Sequence, residues 1–138
     1  MNDPCAAAYV RSVAIQPGLA ASVTILVENH DTAAAIGSGD VPVLATPRVV
    51  ALAEQATCEA VAGSLGTGQT TVGSEVQLTH ISPTPIGAKV TAEVVLESVE
   101  GRRLCFRVTV NDPRGLIAAG YITRVLVDRD RFLEKVEG

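Results

Sequence analysis

In the stretch RLCFRVTVN, Leu104, Phe106, Val108 and Val110 alternate with Arg103, Arg107 and Thr109. A period of two marks a strand with one buried and one solvated face. Comparable alternation runs through residues 69–80, 88–99 and 116–127, so the second half of the chain predicts four strands. Glu100-Gly101 and the run Asn111-Asp112-Pro113-Arg114-Gly115 supply tight turns between the later ones, as expected for antiparallel neighbours. Ahead of the strands, TPRVVALAEQATCEAVAGSLG has no such alternation and predicts a helix, with Thr46 as N-cap, Pro47 at the first helical position and Gly63 as the stop. Its apolar residues, among them Val49, Val50, Leu52, Ala53, Ala56, Ala60 and Val61, spread around most of the helix and predict burial on several sides. Residues 10–28 hold two short strand-like runs separated by Gln16-Pro17-Gly18, and residues 29–45 read as a loop or short helix lying over another part of the fold. The charged tail DRDRFLEKVEG reads as a solvated end.

One buried helix followed by an antiparallel meander predicts an α+β fold in which a curved sheet wraps a helix. An open sheet leaves an edge strand, and pairing that edge with a second copy is a common way to manage it. A homodimer is therefore expected, with a dimer of dimers as an open extension. At 138 residues the chain is long enough for one core but not two, so residues 1–138 are expected to form a single domain. Aromatics make up only 3% of the sequence and tryptophan is absent, which leaves the core to Val, Ala, Leu and Ile.

A net charge of −4, without any cluster of Lys and Arg, argues against a nucleic-acid partner. No apolar run approaches the ~20 residues a bilayer-spanning helix needs, and the acidic start MNDPCAAAYVRSV has the wrong charge order for a secretory leader. Cys5, Cys58 and Cys105 fit neither a disulfide framework nor a zinc site, and suit a cytoplasmic protein with reduced thiols.

Candidate chemistry is sparse. GSLGTG at residues 63–68 leaves a helix and enters a strand, the reverse of a phosphate-cradling loop, and reads as a helix stop plus turn. With two histidines in the chain, no multi-histidine metal site is expected. What remains is Glu54, embedded in the helix, His80 at the end of a strand before a proline-broken turn, and the hydroxyls of Thr46 and Thr79. Periodicity leaves Glu54 open as a carboxylate on a solvated strip or a buried one that needs a partner. His80 is equally open as a strand-end imidazole satisfied by backbone or a functional group, and His30, in Asn29-His30-Asp31, reads as a solvent-facing turn residue.

Taken in order, Ala45-Thr46 at the helix start, Glu54 eight residues later, the SLGT turn, Thr79-His80 followed by Thr84-Pro85-Ile86-Gly87, and SVEGRR at the hairpin make a specific set. The set resembles the hotdog-fold acyl-CoA thioesterases, in the branch that contains the fluoroacetyl-CoA thioesterase, over roughly residues 43–127. The resemblance implies a hotdog: an antiparallel sheet around a long central helix, paired into a dimer with acyl-CoA sites at the subunit interface. It implies Thr46, Glu54 and His80 as the catalytic set. It also implies Gly73 as a backbone donor to the thioester oxygen and Arg124 as a contributor to the site, with no cofactor beyond the coenzyme A of the substrate. Pro83 and Pro85 would then stiffen the backbone that sets the imidazole. The fluoroacetyl-specific enzymes carry lid phenylalanines where this chain has Gly37 and Asp40, so a different small or medium acyl-CoA is expected. Two alternatives stand beside hydrolysis: a binding module for acyl-CoA without turnover, and hydration of an enoyl-CoA. Arg48, Lys89, Arg102 and Arg103 are candidates to meet the phosphates of coenzyme A.

Overall fold

The structure is a computed structural model that describes residues 14–138. The strand-like run at Val10 and Val13, the reading of the first residues and Cys5 lie outside the described residues. Strand β1 spans Ala20–Leu26, a 3-10 turn covers Asn29–Asp31, and the short helix α1 covers Ala33–Ile36. The long helix α2 runs Thr46–Ala62, followed by β2 (Gln69–His80), β3 (Lys89–Glu100), β4 (Arg103–Asp112), β5 (Gly115–Asp128) and a final helix α3 (Arg129–Glu137). Among the described residues the strands form one antiparallel sheet in the order β1-β3-β4-β5-β2, in which β2 lies at an edge and pairs only with β5.

The hairpins form where the sequence places them, with Gly101 at φ +63 between β3 and β4 and Gly115 at φ +127 at the start of β5. These are backbone conformations that glycine adopts without a Cβ penalty. The alternation in β4 is realised as read: Leu104, Phe106, Val108 and Val110 are at most 1% exposed, while Arg103 and Arg107 face solvent. Together with Val90, Ala92, Val94 and Leu96 of β3 and Ile117, Ala118 and Ile122 of β5, they form the bed on which α2 lies. Phe106 is the largest of these fully buried side chains, so the interior is almost wholly aliphatic.

Three expectations need correction. Burial of α2 follows one stripe, Val49, Leu52, Ala53, Ala56, Thr57, Ala60 and Val61, not several sides. Spacings of three and four keep those residues on one face, and of the apolar residues named from the sequence only Val50 lies off it, half-buried. The N-cap is Ala45, whose backbone is extended (φ −75, ψ 143), and Thr46 is the first helical residue. Its hydroxyl makes no cap and is directed elsewhere. The tail is a helix of nine residues, capped by Asp128, whose Oδ1 accepts from the Arg131 N–H at 3.1 Å. It buries none of its side chains, so the solvated reading holds while the helix was missed.

Candidate active site

Two loops fix the start of α2. Buried Asp31 accepts from the Glu28 N–H at 2.8 Å and from Arg48 Nε at 2.8 Å, and its own carbonyl accepts from the Ala45 N–H at 2.9 Å. Burial alone would raise the Asp31 carboxyl, but the Glu28 N–H bond, the Arg48 bond and the nearby charges of His30 and Arg48 outweigh it and hold the group below its ordinary 3.8. From the other side, the Thr84 carbonyl accepts from the Leu44 N–H at 2.9 Å, and buried Thr84 donates to Asp112 Oδ2 at 2.9 Å. The SPTP turn is thereby tied to both the chain before α2 and the β4–β5 hairpin, which holds His80 and Thr46 in register.

Thr46 Oγ1 lies 2.8 Å from His80 Nδ1, a hydrogen bond between the first turn of α2 and the last residue of β2. The other ring nitrogen, Nε2, is shielded from water and has no partner among the described residues. A buried imidazole nitrogen left unpaired costs about 1–3 kcal/mol, so this one is not explained by folding alone. The pair opens onto a cleft of about 360 Å³ whose far wall is the segment Ser38–Val41 ahead of α2. Asp40 lines it, and so does Ser82. Thr79 is exposed and, one residue before His80 on the strand, points to the opposite face.

Glu54 sits in a second cluster. Its Oε2 accepts from Arg124 Nη1 at 3.3 Å, while Arg124, 7% exposed, donates through Nε to Thr71 Oγ1 at 2.8 Å and through Nη2 to the Thr71 carbonyl at 3.0 Å. Gly73 faces Arg124 across the β2–β5 ladder, beside a bulge between Gly73 and Glu75. The carboxylate rests against this glycine: a Cβ there would stand 2.4 Å from Glu54 Oε2. Half-exposed Glu54 is therefore held over a bare piece of backbone by a guanidinium that the sheet itself clamps.

Within one chain these clusters are separate. Thr46 and Glu54 are eight residues apart on α2, about 12 Å along its axis, and Gly73 and His80 are seven apart on β2, about 23 Å along an extended strand. Helix and strand run in opposite senses, so each contributes one residue to either end. The sequence had singled out Thr46, Glu54, His80, Gly73 and Arg124, but not Thr71, Asp31 or the Thr84-Asp112 bond. Thr71 does stand two residues before Gly73, on the same face of β2, and that spacing was a usable signal. Asp31 and Asp112 offered none, because their partners come from distant segments.

A family model for the fluoroacetyl-CoA-specific thioesterase matches residues 27–130, which contain both clusters. The chain belongs to that family. It is thus a thioester hydrolase of the acyl-CoA thioesterase kind. The fluoroacetyl-CoA thioesterase of Streptantibioticus cattleyicolor is 38% identical to it over 94 residues, 68% of each chain. A solved structure of the fluoroacetyl-CoA thioesterase superposes with a TM-score of 0.83 at 31% identity, covering 89% of this chain and 96% of that one. A Thermus thermophilus member of the thioesterase superfamily superposes at 0.84 with 26% identity, covering 91% of this chain and 93% of its own. The fold of this thioesterase is accordingly the hotdog, with α2 as its central helix. None of its described helices is long and apolar enough to cross a membrane.

Proposed function

We propose that residues 1–138 form one hotdog domain that hydrolyses a small or medium acyl-CoA, and that each working site is built from two copies of the chain. The 2.8 Å bond between Thr46 Oγ1 and His80 Nδ1 carries this reading, because it joins an alcohol to a base at the mouth of a cleft. The separation of the two clusters supplies the second half. Strand β2 is an open edge with Val76 exposed at its middle, and antiparallel pairing of two such edges, centred between Val76 and Gln77, sets His80 of one protomer opposite Gly73 of the partner subunit. Glu54 and Arg124 of the partner subunit come with that glycine.

In such a site the thioester oxygen faces the Gly73 N–H, a donor aimed at the charge that develops there. His80 takes the proton of the Thr46 hydroxyl as its oxygen attacks the thioester carbon. Collapse breaks the carbon–sulfur bond, and the imidazolium returns the proton to the departing thiolate. Water then cleaves the acyl-Thr46 ester with His80 again as base, which releases the carboxylate and restores the alcohol. Glu54 orients the imidazole and balances its positive charge. A second route is favoured by one observation, the contact of Glu54 with Gly73: there the carboxylate lies beside the carbonyl and attacks it or activates water, while Thr46 positions the imidazole. Thr46→Ser sustaining turnover while Thr46→Ala abolishes it supports the alcohol route; reduced but persisting turnover in Thr46→Ala, with Glu54→Gln abolishing it, supports the carboxylate. A lid with Gly37 and Asp40 in place of apolar bulk supports an acyl group other than fluoroacetyl.

The composite site has a direct test. His80→Ala and Glu54→Gln protomers, each inactive alone, are mixed, dissociated and reassociated, and thiol release from acetyl-, butyryl- and hexanoyl-CoA is followed. Half of the dimers are then mixed, and each has one intact site of two, so activity returns to about a quarter of wild type. Absence of any return, with mixed dimers verified, would place the site within one chain.

A further inference from the structure

Ten of the eleven Lys and Arg residues lie among the described residues, and Arg48, Arg107, Arg114 and Arg124 are each paired with an acid. Of the six others, Arg102, Arg131 and Lys135 line one cavity of about 450 Å³ between the β3–β4 hairpin, the end of β5 and α3. Three cations without ion-pair partners among the described residues, gathered in one hollow, are unusual on a chain whose net charge is −4. Arg131 and Lys135 stand four residues apart on α3 and so project from the same side, and Arg102 is fixed by a 3.1 Å bond from Nη1 to the Leu126 carbonyl. The floor between them is apolar, formed by half-buried Phe132 and by Leu126. The cavity contains one acid, Asp128, and its carboxylate is already engaged as the cap of α3.

An apolar floor ringed by cations fits a flat heterocycle bearing phosphates. We propose that this cavity binds the phosphorylated adenosine end of the coenzyme A thioester, with Arg102, Arg131 and Lys135 on the phosphates and Phe132 under the base. The assignment rests on the thioesterase reading for its ligand. Its position agrees with that reading, since β5 runs without interruption from Arg124 in the Glu54 cluster to Asp128 in the cavity wall, about 13 Å along the strand. The phosphates are thereby held away from the reacting carbon, with the pantetheine arm spanning the interval.

The test is calorimetric titration of the full chain with adenosine 3′,5′-bisphosphate, with sodium sulfate as the control anion, for wild type and for Arg131→Glu/Lys135→Glu. The nucleotide is expected to bind saturably, to weaken as salt rises from about 0.05 to about 0.3 M, and to bind the double variant about tenfold or more weakly. In parallel, the ratio of kcat/KM for an acyl-CoA to that for the same acyl group on N-acetylcysteamine, which lacks the nucleotide, is expected to narrow in the double variant, with the loss falling on KM. Phe132→Ala supplies an uncharged check, weakening the nucleotide without changing the affinity for sulfate. Equal nucleotide binding by wild type and double variant, both folded by circular dichroism, would overturn the assignment even if thioesters are hydrolysed. Nucleotide binding that depends on Arg131 and Lys135 in a protein that hydrolyses no thioester would sustain the cavity and overturn the hydrolase.

Discussion

Gly73→Ala isolates the one contact that fixes the height of the Glu54 carboxylate. The added Cβ would stand 2.4 Å from Oε2, whereas ordinary contact begins near 3.4 Å, so the oxygen must retreat by about 1.0 Å. Arg124 Nη1, already 3.3 Å from the same oxygen, cannot follow, because its Nε and Nη2 are committed to Thr71 at 2.8 and 3.0 Å. The carboxylate therefore both moves and loses its guanidinium. A misplacement of about 1 Å in a reacting or orienting group costs on the order of 10² in rate. The backbone, by contrast, has little reason to object: Gly73 is exposed on an edge strand and its φ lies outside the left-handed range, so the stability change stays within about 1 kcal/mol. The assay is thiol release against acyl-CoA concentration for wild type, Gly73→Ala, Glu54→Gln and the double variant, with thermal melts beside each. Positioning of Glu54 predicts a kcat/KM loss of about a hundredfold in Gly73→Ala and little further loss when the same change is added to Glu54→Gln, the non-additivity of residues that act as a unit. Wild-type turnover in Gly73→Ala, or losses that simply multiply in the double variant, would refute the reasoning.

Other consequences follow from the same geometry. His80→Ala removes the imidazole bonded to Thr46 and is expected to lower kcat by about 10²–10⁴ with the fold intact, read by steady-state kinetics and circular dichroism. Gly120→Ala strikes the β5–β2 ladder, since a Cβ there would lie 1.8 Å from the Gln77 carbonyl oxygen at a φ of +155. Backbone cannot yield as a side chain end can, and a loss of at least about 3 kcal/mol, a melting temperature lower by on the order of 10 °C, is expected. Asp31→Asn removes a depressed carboxylate, whose contribution is present above its unfolded value near 3.8 and is lost as pH falls through the lower folded value. Denaturant titrations should show the variant less stable by about 1–3 kcal/mol at pH 7, with the gap closing below that unfolded value; a gap independent of pH would remove the ion pair as its cause.

Most of the fold was present in the period of the sequence. Strands 88–99 and 103–111 announce themselves because a sheet with one buried face forces alternation, and the hairpins because glycine takes the backbone angles at Gly101 and Gly115 without a Cβ penalty. In α2 the period was misread: Val49, Leu52, Ala53, Ala56, Ala60 and Val61 recur at spacings of three and four and form the single stripe that packs on the sheet, with Val50 alone outside it. Thr46, Glu54 and His80 stood out as candidates through their order and spacing, and the resemblance those residues carry added Gly73 and Arg124. What those residues touch was not legible. Thr46 reads as a cap from its neighbours in sequence, yet its hydroxyl faces an imidazole 34 residues away, and Glu54 is balanced by a guanidinium 70 residues away. Local propensity acts over a turn or two of chain, so the sequence by itself determined the five-stranded sheet's later strands, the long helix, the turns and the candidate side chains. Only the tertiary structure, by packing α2 antiparallel to β2, decided that those side chains divide into two clusters at opposite ends of one open strand.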